Sequence, residues 1–179
     1  MAKKYKLTKV TKKYGSLILY QIEALQSFGS VEKGDKGGYV EKEDNLSQDG
    51  NAWVYGNAWV YGNAWVYGNA KVSGNARVYG DALVSGDAEV YGNAEVYGNA
   101  LVSGEPMVTS KKDYIVFKNS WSSFRWFTYT KSNKMWKVGC FYGTGQELIE
   151  KAYKDNEKSG KSYEAYVNLA LELEKLDDW

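Results

Sequence analysis

Between Gly50 and Ser103 the chain repeats one six-residue unit nine times without a gap: Gly, then Asn or Asp, then Ala, a variable residue, Val, and Tyr or Ser. No other feature limits the fold as tightly, because a strict short period makes each unit one structural element stacked on its neighbours. Ala and Val stand two apart and point to one side of a short strand, while the variable residue and the Tyr or Ser point to the other. Gly followed by Asn or Asp is corner chemistry, since these residues tolerate positive φ. Three six-residue sides close one eighteen-residue triangular coil, so the nine units predict a left-handed parallel β-helix of about three coils. At a strand spacing of about 4.8 Å that prism is about 15 Å tall. Val40 and Leu46, twelve and six residues before Ala52, keep part of the phase and predict that Val40 to Gln48 begins another coil.

Stacking residues eighteen apart turns the repeat into three faces. Trp53, Lys71 and Glu89 form one column beside Tyr55, Ser73 and Tyr91; Trp59, Arg77 and Glu95 form a second beside Tyr61, Tyr79 and Tyr97. The third, Trp65, Leu83 and Leu101 beside Tyr67, Ser85 and Ser103, carries no charge. In the first two columns an aromatic, a cation and an anion follow one another, an order that permits a cation–π contact and an ion pair. The interior is filled by Ala and Val and holds no polar group for chemistry.

The flanks read differently. Tyr5 to Val10 and Leu17 to Ile22 predict two strands joined at Lys13-Tyr14-Gly15-Ser16, a hairpin that caps the open end of the helix, where an uncovered coil would pair with other chains. Lys3, Lys4, Lys6, Lys9, Lys12 and Lys13 crowd this segment without an acid, which suits either a guard against edge pairing or a phosphate contact. After Pro106 the composition changes. Tyr114 to Phe117, Ser123 to Thr130 and Met135 to Phe141 predict strands, and the capping box Thr144-Gly145-Gln146-Glu147 opens a helix with Leu148, Ile149, Ala152 and Tyr153 on one face. A second helix from about Ser162 to Leu176 presents Tyr166, Val167, Ala170, Leu173 and Leu176. The expected fold is mainly β: an N-terminal β capping segment over 1–39, the β-helix over 40–108 and a small β-β-β-α-α domain over 109–179.

Overall charge is balanced, with 23 basic and 22 acidic residues, and 16% of residues are aromatic. The single Cys140 has no partner for an internal disulfide, and its place in the apolar run Trp136 to Phe141 predicts a buried structural thiol. The lysine-rich start has no apolar stretch behind it, so neither a secretory signal nor a membrane span is expected and a cytoplasmic setting is.

The units Val54-Tyr55-Gly56-Asn57-Ala58-Trp59 and their successors resemble the aliphatic-x-x-x-small-x repeat of the hexapeptide-repeat superfamily, which includes trimeric acyltransferases and trimeric carbonic anhydrases. Those enzymes generally rely on a histidine as general base or hold zinc with histidines, and this chain contains none. Within the repeat the acids Asp81, Asp87, Glu89 and Glu95 stand where the repeat itself explains them. No catalytic residue, metal or cofactor is expected. The resemblance implies a dimer or trimer, for which the Trp belt supplies an independent motive. A second likeness covers most of the chain: the lead-in Gly37-Gly38-Tyr39-Val40-Glu41-Lys42-Glu43-Asp44-Asn45-Leu46-Ser47, the Gly-Asn-Ala-Trp-Val-Tyr units and the tail Met135 to Gly145 are similar to small hexapeptide-repeat proteins of phages and prophages. That resemblance implies a phage setting inside a bacterial host and, by analogy, inhibition of a host defence system such as a CRISPR nuclease.

Two surfaces are candidates for a partner. On the solenoid, Trp53, Trp59 and Trp65 with Tyr55, Tyr61, Tyr67, Lys71 and Arg77 offer the aromatic and cationic groups that dominate interfaces. Beyond it, Lys118, Arg125, Trp126, Lys131, Lys134 and Lys137 combine cations with aromatic faces, the means by which single-stranded nucleic acid is held. A host protein and nucleic acid are therefore both candidate partners. Three functions stay open: a non-enzymatic binding protein acting as an inhibitor, or as a sponge for a small signalling nucleotide; a structural or oligomerisation scaffold; and an acyltransferase-like enzyme that has replaced its histidine.

Overall fold

A computed structural model describes residues 3–177. It divides into two compact units, one ending at Lys111 and the other beginning at Lys112. The first is a β-solenoid. Its rungs are the two-residue strands that the repeat predicts, because only the variable residue and the Val of each unit pair before the next corner turns the chain. After β1 (Tyr5–Tyr14), β2 (Leu17–Ala24) and β3 (Lys36–Val40) come β4 (Trp53–Val54), β5 (Trp59–Val60), β6 (Trp65–Val66), β7 (Lys71–Val72), β8 (Arg77–Val78), β9 (Leu83–Val84), β10 (Glu89–Val90), β11 (Glu95–Val96), β12 (Leu101–Val102) and β13 (Met107–Val108). They stack in parallel as β4-β7-β10-β13, as β3-β5-β8-β11 and as β6-β9-β12, so the three expected columns stand in register eighteen residues apart. Every Ala from Ala52 to Ala100 and every Val from Val54 to Val108 in these rungs is buried.

The solenoid has about four turns: the nine units supply three, Met107–Val108 continues one face, and the lead-in supplies the further coil expected from Val40 and Leu46. That coil is out of the expected phase. Val40 pairs with Val60 and Leu46 with Val66, each twenty residues on rather than eighteen, so both occupy the Val position and not the Ala position. The physical reason is a longer corner, with eight residues from Leu46 to Val54 where a repeat unit would place six. At the later corners glycine alone takes positive φ among the repeat residues. The Asn and Asp side chains instead form ladders: Asn51 Nδ2 donates to Asn69 Oδ1 at 3.1 Å and Asn69 to Asp87 at 3.0 Å, with Asn63 to Asp81 at 3.1 Å on a second corner.

The hairpin caps by pairing rather than by lying across the open end. β1 and β2 are antiparallel, joined at Gly15-Ser16, and β2 pairs with β3, so one face of the prism continues as the sheet β1-β2-β3-β5-β8-β11. Lys9 and Lys13 lie exposed on the edge strand β1, where charge opposes pairing with another chain. Lys4 does something else: only 1% exposed, its ammonium donates to the carbonyl oxygens of Asp49 (3.4 Å), Gly50 (3.3 Å) and Ala52 (2.9 Å) and lies 4.8 Å from the Phe28 ring centre. It thus supplies donors to carbonyls at the long first corner, an accounting that every buried backbone group requires.

Lys4→Met keeps the length and apolar bulk of the stem but strands those oxygens, and urea unfolding should show a loss of about 2 kcal/mol. Burial, opposed by the nearby Asp49 carboxylate, lowers the Lys4 pKa to about 8. The unfolded chain therefore binds more protons above that value, so the Lys4 contribution makes stability rise with pH from about 8 toward the ordinary lysine range. The Tyr5 hydroxyl, pushed up by burial and then by Glu43 and Asp44, has the opposite sign, and its contribution to stability is lost as pH climbs past the ordinary tyrosine range.

The second unit has four antiparallel strands, not three: β14 (Tyr114–Lys118), β15 (Trp126–Thr130), β16 (Met135–Val138) and β17 (Phe141–Thr144), in that order across the sheet. The apolar run Met135 to Phe141 is broken because Gly139 takes φ 55 and turns the chain, which leaves Cys140 exposed at the turn rather than buried. Thr144 caps α1 (Gly145–Asp155) as expected, Glu147 N donating to its Oγ1 while its own N–H donates to Glu147 Oε2. Asn156 then accepts from Ser159 N at 2.8 Å and starts α2 (Glu157–Asp177), several residues ahead of Ser162. Phe127, Tyr129 and Trp136 of the sheet form one core with Leu148, Ala152, Tyr163, Val167 and Ala170 of the helices. Tyr153 and Leu176, expected on the apolar faces, are exposed.

Candidate functional site

The three faces of the solenoid present the same repeat positions in three different states, and the difference comes from what the N-terminal segments cover. Trp53 is 1% exposed. The Phe28 ring meets it edge-on at 5.3 Å and Tyr5 at 6.0 Å, so it belongs to the core and not to a contact surface, contrary to the expectation for the belt. Trp59 is half-buried between Tyr14, edge-on at 5.7 Å, and the Arg77 guanidinium 4.6 Å from its ring centre. Trp65 alone of the three is exposed, at 42%, and its ring stacks on Tyr67 at 4.1 Å.

Charge follows the columns only in part. On the face of Trp59 the cation–π contact with Arg77 is present, but the Glu95 carboxylate is held by Lys111 at 2.6 Å, which keeps its pKa below the usual carboxylate range. Beside this column Tyr61, Tyr79 and Tyr97 stack as a ladder with centroids 5.0 and 5.3 Å apart and planes 2° and 11° from parallel. Burial raises the Tyr61 and Tyr79 pKa values, with neighbouring Tyr79 and Glu95 respectively adding to the effect. On the face of Trp53 the Lys71 ammonium bonds Glu89 at 3.0 Å, and that bond raises the lysine's pKa. Tyr55 anchors its hydroxyl 3.2 Å from Ser30 Oγ. The third face, Trp65, Leu83 and Leu101 in register, carries the apolar column without charge that the spacing predicts.

The lysine-rich N-terminus is engaged with its own chain at four positions. Lys3 pairs with Glu43 at 2.7 Å, Lys4 is buried, Lys6 pairs with Glu23 at 3.3 Å, and Lys12 lies 4.1 Å from the Tyr39 ring centre while donating to Asn57. A patch of converging cations for phosphate does not form from these four.

In the second unit the alternation of the strands decides which aromatics face outward. Phe127, Tyr129 and Trp136 belong to the helix-side core, and Trp121 packs edge-on against Tyr163 at 4.9 Å. Trp126, one of the nucleic-acid candidates, faces the other way with Lys118, whose ammonium is 5.5 Å from its ring centre. Arg125 lies at the same end of the sheet, close to Gly139. Lys131 and Lys134 sit at the opposite end, in the turn between β15 and β16, and Lys137 pairs across from Thr128 between the two groups. At about 3.4 Å per residue the two ends are about 14 Å apart, with Lys137 about midway between them, so the six residues are spread along the strands rather than gathered at one point.

Comparison with known families agrees with the solenoid. The chain is similar to the YdcK Beta solenoid repeat family over residues 52–68, 70–86 and 76–92. These matches lie inside the repeat, so this is a repeat β-helix protein whose two flanks fall outside the likeness. No curated protein matches the chain. Among the described residues no helix is long and apolar enough to cross a membrane.

Proposed function

We propose that the chain is a non-catalytic binding protein that recognises a protein partner through the uncharged face of its solenoid. The observation that supports this is the column begun by Trp65, with Tyr67 stacked beside it and Leu83 one coil on: Trp65 stays exposed while Trp53 and Trp59, at the same repeat position, are covered from within the chain. Centres of protein interfaces are rich in Trp and Tyr and poor in charge, and a contiguous apolar column is costly to leave in water. Joined to the likeness to phage-encoded hexapeptide-repeat proteins, this makes the partner a bacterial protein and the function inhibition of a host defence system such as a CRISPR nuclease, exerted in the host cytoplasm. A second reading is a scaffold in which the same column packs on further copies. The regular leucine rungs favour it, since identical columns in register can interdigitate about a symmetry axis.

Leu83→Asp places a charge in the middle of the column without touching the Ala and Val interior. Tagged wild-type and Leu83→Asp chains are to be drawn through bacterial lysate with and without nuclease, and their masses measured in solution. A host protein retained by the wild type after nuclease, and reduced at least about tenfold by the variant, is the expected result, because an unpaired charge buried in an interface costs more than one factor of ten. A dimer or trimer that the variant reduces to monomer establishes the scaffold instead. Nucleic acid alone, released by salt, moves the function to the cations of the second unit.

A further inference from the structure

The tyrosine column on the face of Trp53 is interrupted where the neighbouring face is complete. On that neighbouring face Tyr61, Tyr79 and Tyr97 stack with nothing between them. Here the same three rungs carry Tyr55, Ser73 and Tyr91, with β4, β7 and β10 in the same eighteen-residue register. Replacing the middle ring by a serine hydroxyl removes one ring from the ladder and keeps the two on either side. The structure shows the resulting cavity, lined by Tyr55, Ser73, Tyr91, Lys71, Glu89 and Met107. The third face has no such gap between rings, because there Ser85 and Ser103 follow Tyr67 and close on one another through a 2.8 Å hydrogen bond.

From this geometry we infer that the cavity is a binding site for the planar heteroaromatic ring of a small molecule, a purine nucleoside being the class it fits best. On the neighbouring face two ladder steps of 5.0 and 5.3 Å separate the outer rings, Tyr61 and Tyr97, with room for Tyr79 between them, and the shared register sets Tyr55 and Tyr91 the same two coils apart. An inserted ring takes the place of the missing tyrosine and stacks on both walls within the 4.5–7 Å centroid range that aromatic pairs adopt. Its edge then faces the Ser73 hydroxyl and the Lys71–Glu89 pair, which offer donors and an acceptor together, so a nitrogen heterocycle is matched better than a hydrocarbon. The cation and anion at the rim cancel, which removes any general attraction for phosphate. A second cavity shares Tyr55, Lys71 and Glu89 with the first and adds Ser30 and the Asn51, Asn69 and Asp87 ladder, a row of amide and carboxylate groups suited to the hydroxyls of a ribose. This site is separate from the apolar column proposed for a protein partner.

Calorimetric titration of the full chain with adenosine and with guanosine tests the site. Saturable binding of at least one is expected, weakened about tenfold or more by Ser73→Tyr, which fills the gap with the ring that the neighbouring face carries at this position. Circular dichroism shows whether that variant folds; should it not, Tyr91→Ala decides, because it opens one wall and is expected to weaken binding to a similar extent. Failure of both nucleosides to bind at millimolar concentration overturns the inference, as does binding that neither variant changes.

Discussion

Trp53→Ala is expected to destabilise the solenoid by about 3–5 kcal/mol, while Trp65→Ala, the same substitution at the same repeat position two rungs later, costs about 1 kcal/mol. The difference lies wholly in what covers each ring. Around Trp53 the Phe28 and Tyr5 rings close at 5.3 and 6.0 Å and leave it 1% exposed, so truncation opens a cavity under two aromatics and beside the Lys4 ammonium, which itself lies against Phe28. Removing the indole therefore loosens the lid over the first coil, not merely one contact. Trp65 gives up a single stacked pair with Tyr67 and surface that is 42% in water already. Urea unfolding followed by circular dichroism measures both. With a slope of about 1–3 kcal/mol per molar urea, the Trp53 variant should shift the solenoid transition by more than about 1 M and the Trp65 variant by a fraction of that. Equal shifts would mean that Phe28 and Tyr5 do not hold Trp53 as described.

How far the fold is legible in the sequence follows from the range of the interactions that make it. Within the repeat every strand partner is eighteen residues away, so the pairings of Trp53 with Lys71, Trp59 with Arg77 and Trp65 with Leu83 can be read by counting. The lead-in escapes such counting. Two extra residues between Leu46 and Val54 shift its phase, and Gln48 and Lys4, which stitch the long corner to the N-terminus, carry no pattern that announces the contact. Burial of Trp53 depends on the segment around Phe28, whose only regular pairing is the short bridge from Phe28 to Val31 and which has no periodicity to read.

The turn at Gly139 did have a signal, since a glycine inside an apolar strand marks a bend or a close approach, and reading it that way separates β16 from β17 and exposes Cys140. The interrupted tyrosine column is legible too, as Tyr, Ser, Tyr at Tyr55, Ser73 and Tyr91, but it gains meaning only beside the unbroken stack of Tyr61, Tyr79 and Tyr97.

Gly86→Ala should cost about 2–5 kcal/mol and Gly98→Ala about 1 kcal/mol, although both glycines hold the same position in their repeat units and both have positive φ, +70 and +66. An alanine in the left-handed region is strained at either position, and a smaller unfolded-state entropy returns part of that cost. What differs is the next coil. A Cβ on Gly86 would stand 2.7 Å from the Gly104 nitrogen and 2.8 Å from its oxygen, whereas a Cβ on Gly98 meets nothing within 4 Å, because no further glycine corner is stacked on it. The clash at Gly86 is with backbone and cannot be relieved by turning a side chain, so the corner must lift and take with it the hydrogen bond from Asp87 N to Gly104 O, 2.7 Å long. The two variants together separate the intrinsic cost of the turn from the cost of stacking one corner on another. If the stacking argument holds, urea unfolding places Gly86→Ala at least about 1 kcal/mol below Gly98→Ala. Equal stabilities would show that the coils yield at their corners, and the close spacing of the ladder on each face would then need another cause.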